Sequence, residues 1–160
     1  MHTTKNTHKT LGGCFVALLL FCAGPALADG HIETFRGCAE AVDSAEVKTA
    51  YRECTAEIMK VCAASKTAGE AVDCFDNISA DLLVEAELDL SNLSEKRQGE
   101  VLPLMMSNRE SGQGACGLLA HNDKKAGATE AQIAVNQSFC QMMVMADLLG
   151  QVINQARITE

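Results

Sequence analysis

The sequence predicts an all-α, disulfide-braced antiparallel helical bundle, on three observations. Apolar residues recur at spacings of three and four through most of the chain, the period of one buried helix face. No run alternates β-branched and aromatic residues as a half-buried strand would. Six cysteines beyond the N-terminal leader lie where helical hairpins would bring them together. At 160 residues, without an internal repeat or low-complexity linker, the chain is sized for one domain. The expected organisation is a signal peptide, 1–28, and a single helical domain, 29–160.

The leader comes first. Lys5 and Lys9 precede an apolar run of about 13 residues that contains Cys14 to Ala23, and Gly24 and Pro25 interrupt it. Ala26, Leu27 and Ala28 then place small residues at the two positions a signal peptidase reads. The run is too short to span a bilayer at about 1.5 Å per residue, and no later segment is apolar enough to do so. The reading is therefore an exported protein without stable membrane insertion after processing, with a bacterial periplasm favoured over secretion.

Five helical stretches follow. The first, 32–41, centres on Phe35 and Cys38. The second, about 44–64, carries its stripe through Val47, Ala50, Tyr51, Cys54, Ile58, Val61 and Cys62. The third, about 70–98, is lined by Phe75, Ile78, Leu82, Ala86, Leu90 and Leu93, with Lys96 and Arg97 suited to the negative end of its dipole. The fourth, about 100–119, contains Leu102, Met105, Met106 and Leu118, with Pro103 and Ser111-Gly112-Gln113-Gly114 expected to disturb it. A flexible loop is expected over His121–Ala128. The fifth helix, about 129–157, has a core line of Ile133, Cys140, Val144, Leu148, Val152 and Ala156, with Met142, Met143 and Met145 as adaptable bulk.

Cysteine positions connect these helices. Six cysteines allow many pairings, but residues equidistant from a hairpin turn face one another. Cys62 and Cys74 flank the break at residue 68, and Cys116 and Cys140 flank residue 128 beside Gly127. Cys38 and Cys54 remain, by elimination. The alternative is that some stay buried and reduced. With no Cys-x-x-Cys, neither a thioredoxin-like redox pair nor covalent haem is indicated.

Charge and chemistry narrow the function. The chain carries 13 basic and 21 acidic residues, and removal of the leader shifts the net charge from -8 to -10. Such a balance disfavours nucleic acid, whose backbone needs clustered cations. With five Phe, one Tyr and no Trp, a stacking platform is hard to assemble. Carboxylates at helical spacing, such as Glu53/Glu57, Asp73/Asp76, Asp81/Glu85 and Glu85/Asp89, read as solvated faces in the absence of a third functional group. His31 and His121 read as surface residues outside any metal-ligand spacing. Gly-x-Ser-x-Gly does not occur. The expectation is no enzyme, no cofactor and no metal. An acidic helix bearing Asp73, Asp76, Asp81 and Glu85 is the candidate partner-binding element and suits a basic protein partner, the alternative being that its charge serves solubility.

The cysteine arrangement also resembles the lysozyme inhibitor LprI-like domain of exported bacterial proteins. Cys62 and Cys74, with Asp73 beside the second, match its first cysteine pair. The long helix around Leu82, Leu83, Leu90 and Leu93 follows. Leu102-x-x-Met105-x-x-Asn108 then leads to Ala115-Cys116, and Cys140 precedes Met143, Leu148, Leu149 and Ile153. The resemblance covers about residues 54–156. It departs where Met105, Asn108 and Gly112 replace the family's usual Gln, Trp and Arg, and Cys38 and Cys54 are additional. The resemblance implies a small helical unit and inhibition of a lysozyme. The residues alone favour a non-enzymatic binding or cell-envelope protein, with a structural or assembly protein as the other alternative and the oligomeric state open.

Overall fold

A computed structural model describes residues 26–41 and 47–158. They form five helices: α1 (Ala26–Ala41), α2 (Val47–Ala63), α3 (Ala68–Asn92), α4 (Glu95–Lys125) and α5 (Glu130–Arg157). The described residues contain no strand. The expected leader lies outside them apart from Ala26–Ala28, which open α1, so the first helix begins six residues earlier than its apolar pattern indicates.

Three helix junctions show how the sequence sets the bounds. At Thr67 a capping box starts α3: the Glu70 N–H donates to Thr67 Oγ1 and the Thr67 N–H donates to Glu70 Oε2, both at 3.2 Å. Thr129 and Gln132 repeat the device at α5. The third helix ends at Asn92 rather than 98, because Leu93 and Ser94 adopt extended backbone and α4 starts afresh at Glu95. The expected loop over His121–Ala128 is mostly helix. α4 runs on to Lys125, with Lys124 and Lys125 against the carbonyl end of the helix dipole. Gly127 then turns the chain at φ +84°, while the Ala128 N–H donates to the Asp123 carbonyl at 3.0 Å. A positive φ one residue past a helix is the role glycine fills without strain.

Successive helices alternate in direction. Cys62–Cys74 and Cys116–Cys140 pair as the hairpin geometry predicts, and Cys38–Cys54 pairs as elimination left it, each with Cα atoms 5.6 Å apart. α5 lies at the centre. It has its largest interface with α3, which runs parallel to it: Phe75 meets Phe139 edge-on at 5.5 Å, and Leu93 shares a cleft with Ile153 at the other end. The α1–α2 hairpin covers α3 and α5, whereas α4 packs on α5 and has little contact with α3.

The core follows the α3 stripe closely. Phe75, Ile78, Leu82, Ala86 and Leu90 are buried, and Phe35, Ile58, Met142, Leu149 and Val152 complete the centre. Each large side chain withdrawn from water contributes about 1.5–3 kcal/mol before entropy is charged against it. Met142 and Met145 lie in this core rather than on an outer face. On α5, Leu148 and Val152 are buried as expected, while Ile133, Cys140, Val144 and Ala156 are half-buried.

α4 departs most from expectation. Leu102, Met106 and Leu118 are 45%, 64% and 61% exposed, and only Met105 of the expected stripe is buried. The inward line instead runs through Val101, Met105, Gly112 and Cys116, because α4 has essentially one helix to lean on. Pro103 lies inside the helix. The carbonyl it deprives of a donor belongs to Gly99, which is exposed and open to water. Ser111-Gly112-Gln113-Gly114 is helical throughout, and Gly112 lets α4 pack close against Val144 of α5: a Cβ there would lie 2.7 Å from both Val144 methyls.

Candidate functional site

The four candidate acids divide into two pairs. All lie on α3, whose start is fixed by the Thr67 capping box and by the Cys62–Cys74 disulfide. Asp73 and Asp76 are exposed on its outer side. Asn77, Ala80, Val84, Glu87 and Leu88 are exposed too, and Val84 and Leu88 present 61% and 53% of their surface. Two apolar side chains thus stand one helical turn apart on a helix that also exposes Asp73, Asp76 and Glu87. That arrangement can dock an apolar contact surrounded by cations.

Asp81 and Glu85 turn toward α1. They share a shallow cleft of about 510 Å³ with Ile32, Glu33, Arg36 and Val84. Arg36 spans to α3 with two guanidinium nitrogens, donating from Nη2 to Glu85 Oε2 and from Nη1 to Asp89 Oδ2, each at 2.6 Å. Glu85 and Asp89 are one turn apart, so one planar guanidinium reaches both. The bond to Asp89 raises the Arg36 pKa above its usual value. Burial opposes this, and Glu85 adds to the rise. A base with a raised folded-state pKa contributes its stability below the unfolded value and loses it only as pH climbs through the folded one. This link therefore holds unchanged through neutral pH.

Glu85 is consequently committed to holding α1 on α3. Replacing Arg36 with Ala is expected to cost about 1–2 kcal/mol, since it leaves two half-buried carboxylates adjacent and unpaired while solvent screens part of their repulsion. Urea unfolding at low and high salt checks this, and the loss should shrink as salt rises. Sequence reasoning missed Arg36 and gave Asp89 no role. The i, i+4 spacing of Glu85 and Asp89 was the one local signal, and their partner lies 49 and 53 residues away.

The histidines differ from each other. His121 is exposed, as expected. His31 is half-buried instead, because α1 packs on the bundle, and its Nε2 is buried without a hydrogen-bond partner. Among the described residues, no group of three or more His, Cys, Asp or Glu side chains could hold a metal ion, and no helix is long and apolar enough to cross a membrane. The six cysteines are all consumed in disulfides.

Compared with protein-family models, curated proteins and solved structures, the chain matches none. The likeness to the LprI-like domain rests on the cysteines and helix pattern already described.

Proposed function

We propose that this chain is an exported, non-enzymatic binding protein that takes a basic protein partner on the outer side of α3. The observation carrying this reading is the exposed set of Asp73, Asp76 and Glu87 on the same helix as Val84 and Leu88. Carboxylates draw a cationic partner in and fix its orientation, while the apolar pair supplies contact area. Three disulfides support export to an oxidising compartment, and the leader pattern favours the periplasm. Crosslinked helices also hold the face rigid, which limits the ordering cost of association.

Charge reversal tests the reading. The oxidised chain and its D73K/D76K variant are titrated against cationic exported proteins, with c-type and g-type lysozymes as the first probes. Both positions are exposed and no ion pair holds them, so the variant should melt like the wild type. It should bind at least about tenfold more weakly at low salt, with the difference closing at moderate salt. Equal affinity of the two proteins, or no binding to any cationic probe, counts against the reading.

Inhibition of a lysozyme is the sharper form of the same proposal, favoured by the resemblance in cysteine pattern. It requires stoichiometric loss of muramidase activity that reduction of the disulfides abolishes. An assembly role through the Met-rich α5, with Met142, Met143 and Met145 as its face, has less support, because Met142 and Met145 are packed inside and Met143 is half-buried.

A further inference from the structure

Among the described residues ten large apolar side chains are exposed, and five of them, Leu102, Leu104, Met106, Leu118 and Leu119, lie on α4. That helix packs on α5 and has little contact with α3, so its remaining sides are uncovered. Charge sets it apart from the other exposed apolar pair, Val84 and Leu88. α3 carries seven acids and no base, whereas α4 carries four acids and five bases. The chain as a whole has a net charge of -8. A second copy approaching the α3 face therefore meets strong repulsion, while at α4 it meets apolar surface with no excess of its own negative charge.

The exposed residues of α4 also have the period of a helix-pairing seam. Leu104, Ser111 and Leu118 recur every seven residues, and Ser107, Gly114 and His121 form a second line beside them. All six are exposed, and Leu104 and Leu118 are each more than half so. Steps of alternating three and four keep such a strip on one side of a helix. In antiparallel register Leu118 of one copy falls opposite Ser107 of the other, Leu104 opposite the His121 ring, and Ser111 opposite Gly114. Large meets small at the leucine of each half, and the two small residues let the helix axes close at the centre. The ends select the same direction. A parallel pair gathers Lys124 and Lys125 of both copies, while an antiparallel pair sets them beside Glu95 and Glu100 of the other copy and opposes the helix dipoles. Glu100 already accepts from Arg97 through Oε2, so the direction rests more on separating the four lysines than on a new ion pair.

We infer that α4 is a homodimer surface on which two copies pair antiparallel, about a two-fold axis level with Gly112 and Gln113. The same patch on both copies makes the pairing self-limiting at two. A 31-residue helix is about 46 Å long and about 10 Å wide, so each copy covers about 460 Å², below the roughly 800 Å² of a standard interface. The dimer is accordingly weak and concentration-dependent. It leaves the outer side of α3 open and does not rest on the reading of that face.

Sedimentation equilibrium of the oxidised chain, purified from an exporting host, tests this from about 10 μM to about 1 mM. The mean mass should rise from monomer toward dimer and no further. Association should tighten as salt rises, because screening relieves the repulsion between two acidic copies, the opposite of the response expected for a basic partner on α3. The variant L104E/L118E should stay monomeric throughout with an unchanged melting curve. V84E/L88E adds the same charge and removes a like apolar pair on α3, and it should still dimerise. Gly114→Leu has open space around its Cβ within one copy, so it should fold as well as the wild type yet associate at least about tenfold more weakly. In a mixed isotope-labelled sample, nuclear Overhauser effects should join the Leu118 methyls of one copy to Leu104 and Ser107 of the other. A wild type that is monomeric at 1 mM overturns the proposal, as does dimerisation that survives L104E/L118E or is lost equally in V84E/L88E. Contacts between the Leu118 methyls of both copies overturn the antiparallel register.

Discussion

Reduction of the three disulfides is expected to unfold this protein at neutral pH and room temperature. The crosslinks join residues 16, 12 and 24 positions apart. Loop-closure entropy assigns about 3 kcal/mol to each and about 9 kcal/mol to the set. That total is comparable with the whole net stability of an ordinary domain, about 5–15 kcal/mol. Helix packing does little to compensate, because α4 leans on one neighbour and the α1–α2 hairpin contacts α3 and α5 over short stretches. Thermal melts followed by circular dichroism, with and without a phosphine reductant, check this. The oxidised chain should melt cooperatively, and the reduced chain should have no cooperative transition. Cys116–Cys140 spans the longest interval, so its double Ser variant should be the most damaging single loss, at about 3–4 kcal/mol.

Gly112→Val is expected to destabilise by about 2–3 kcal/mol, even though valine is the better helix former. The cause is steric. A Cβ at residue 112 lies 2.7 Å from both Val144 methyls and 3.3 Å from Val144 Cβ. Val144 is branched at Cβ and cannot swing away as a long side chain would. The helices must therefore separate, and Cys116–Cys140, one turn along α4, opposes that separation. A fall of about 10 °C in melting temperature corresponds to this cost. The double variant with Val144→Ala removes both offending methyls and should recover more than half of the loss. No recovery would place the strain elsewhere.

The contrast between α3 and α4 shows what the sequence makes legible. In α3 the buried line is Phe75, Ile78, Leu82, Ala86 and Leu90, and every member is apolar, so periodicity alone finds it. In α4 the inward positions are Val101, Met105, Gly112 and Cys116. Asn108 is bonded to Gln151 at 2.7 Å, and Asp123 accepts from Asn136 at 2.9 Å. Small and polar residues at an interface carry no hydrophobic contrast, so Leu102, Met106 and Leu118 drew the stripe to the wrong side. Helix propensity misled as well, because Pro103, Gly112 and His121 to Asp123 argue locally against a helix that packing on α5 sustains. The disulfides were legible because each lies across a short hairpin, where sequence distance and spatial distance are still linked.

The candidate sites were less legible, for a related reason. Asp73, Asp76, Asp81 and Glu85 look alike in sequence, and only the position of α1 separates the exposed pair from the pair facing Arg36. Arg36, Arg97 and Arg157 follow one another at intervals of about 60 residues along the chain, yet all three line one cleft. Their convergence depends on α1, α3 and α5 all ending at the same end of the bundle, which is a property of topology rather than of any motif.

The measurement that tests the account most directly is resonance mapping of a cationic protein partner on the oxidised chain, with c-type lysozyme as the first probe. The account predicts shifts confined to Asp73, Asp76, Ala80, Val84, Glu87 and Leu88, diminishing as salt rises and absent in D73K/D76K. Shifts centred on the outer side of α4, at Leu104, Met106 and Leu118, or binding that ignores both salt and charge reversal, would contradict it.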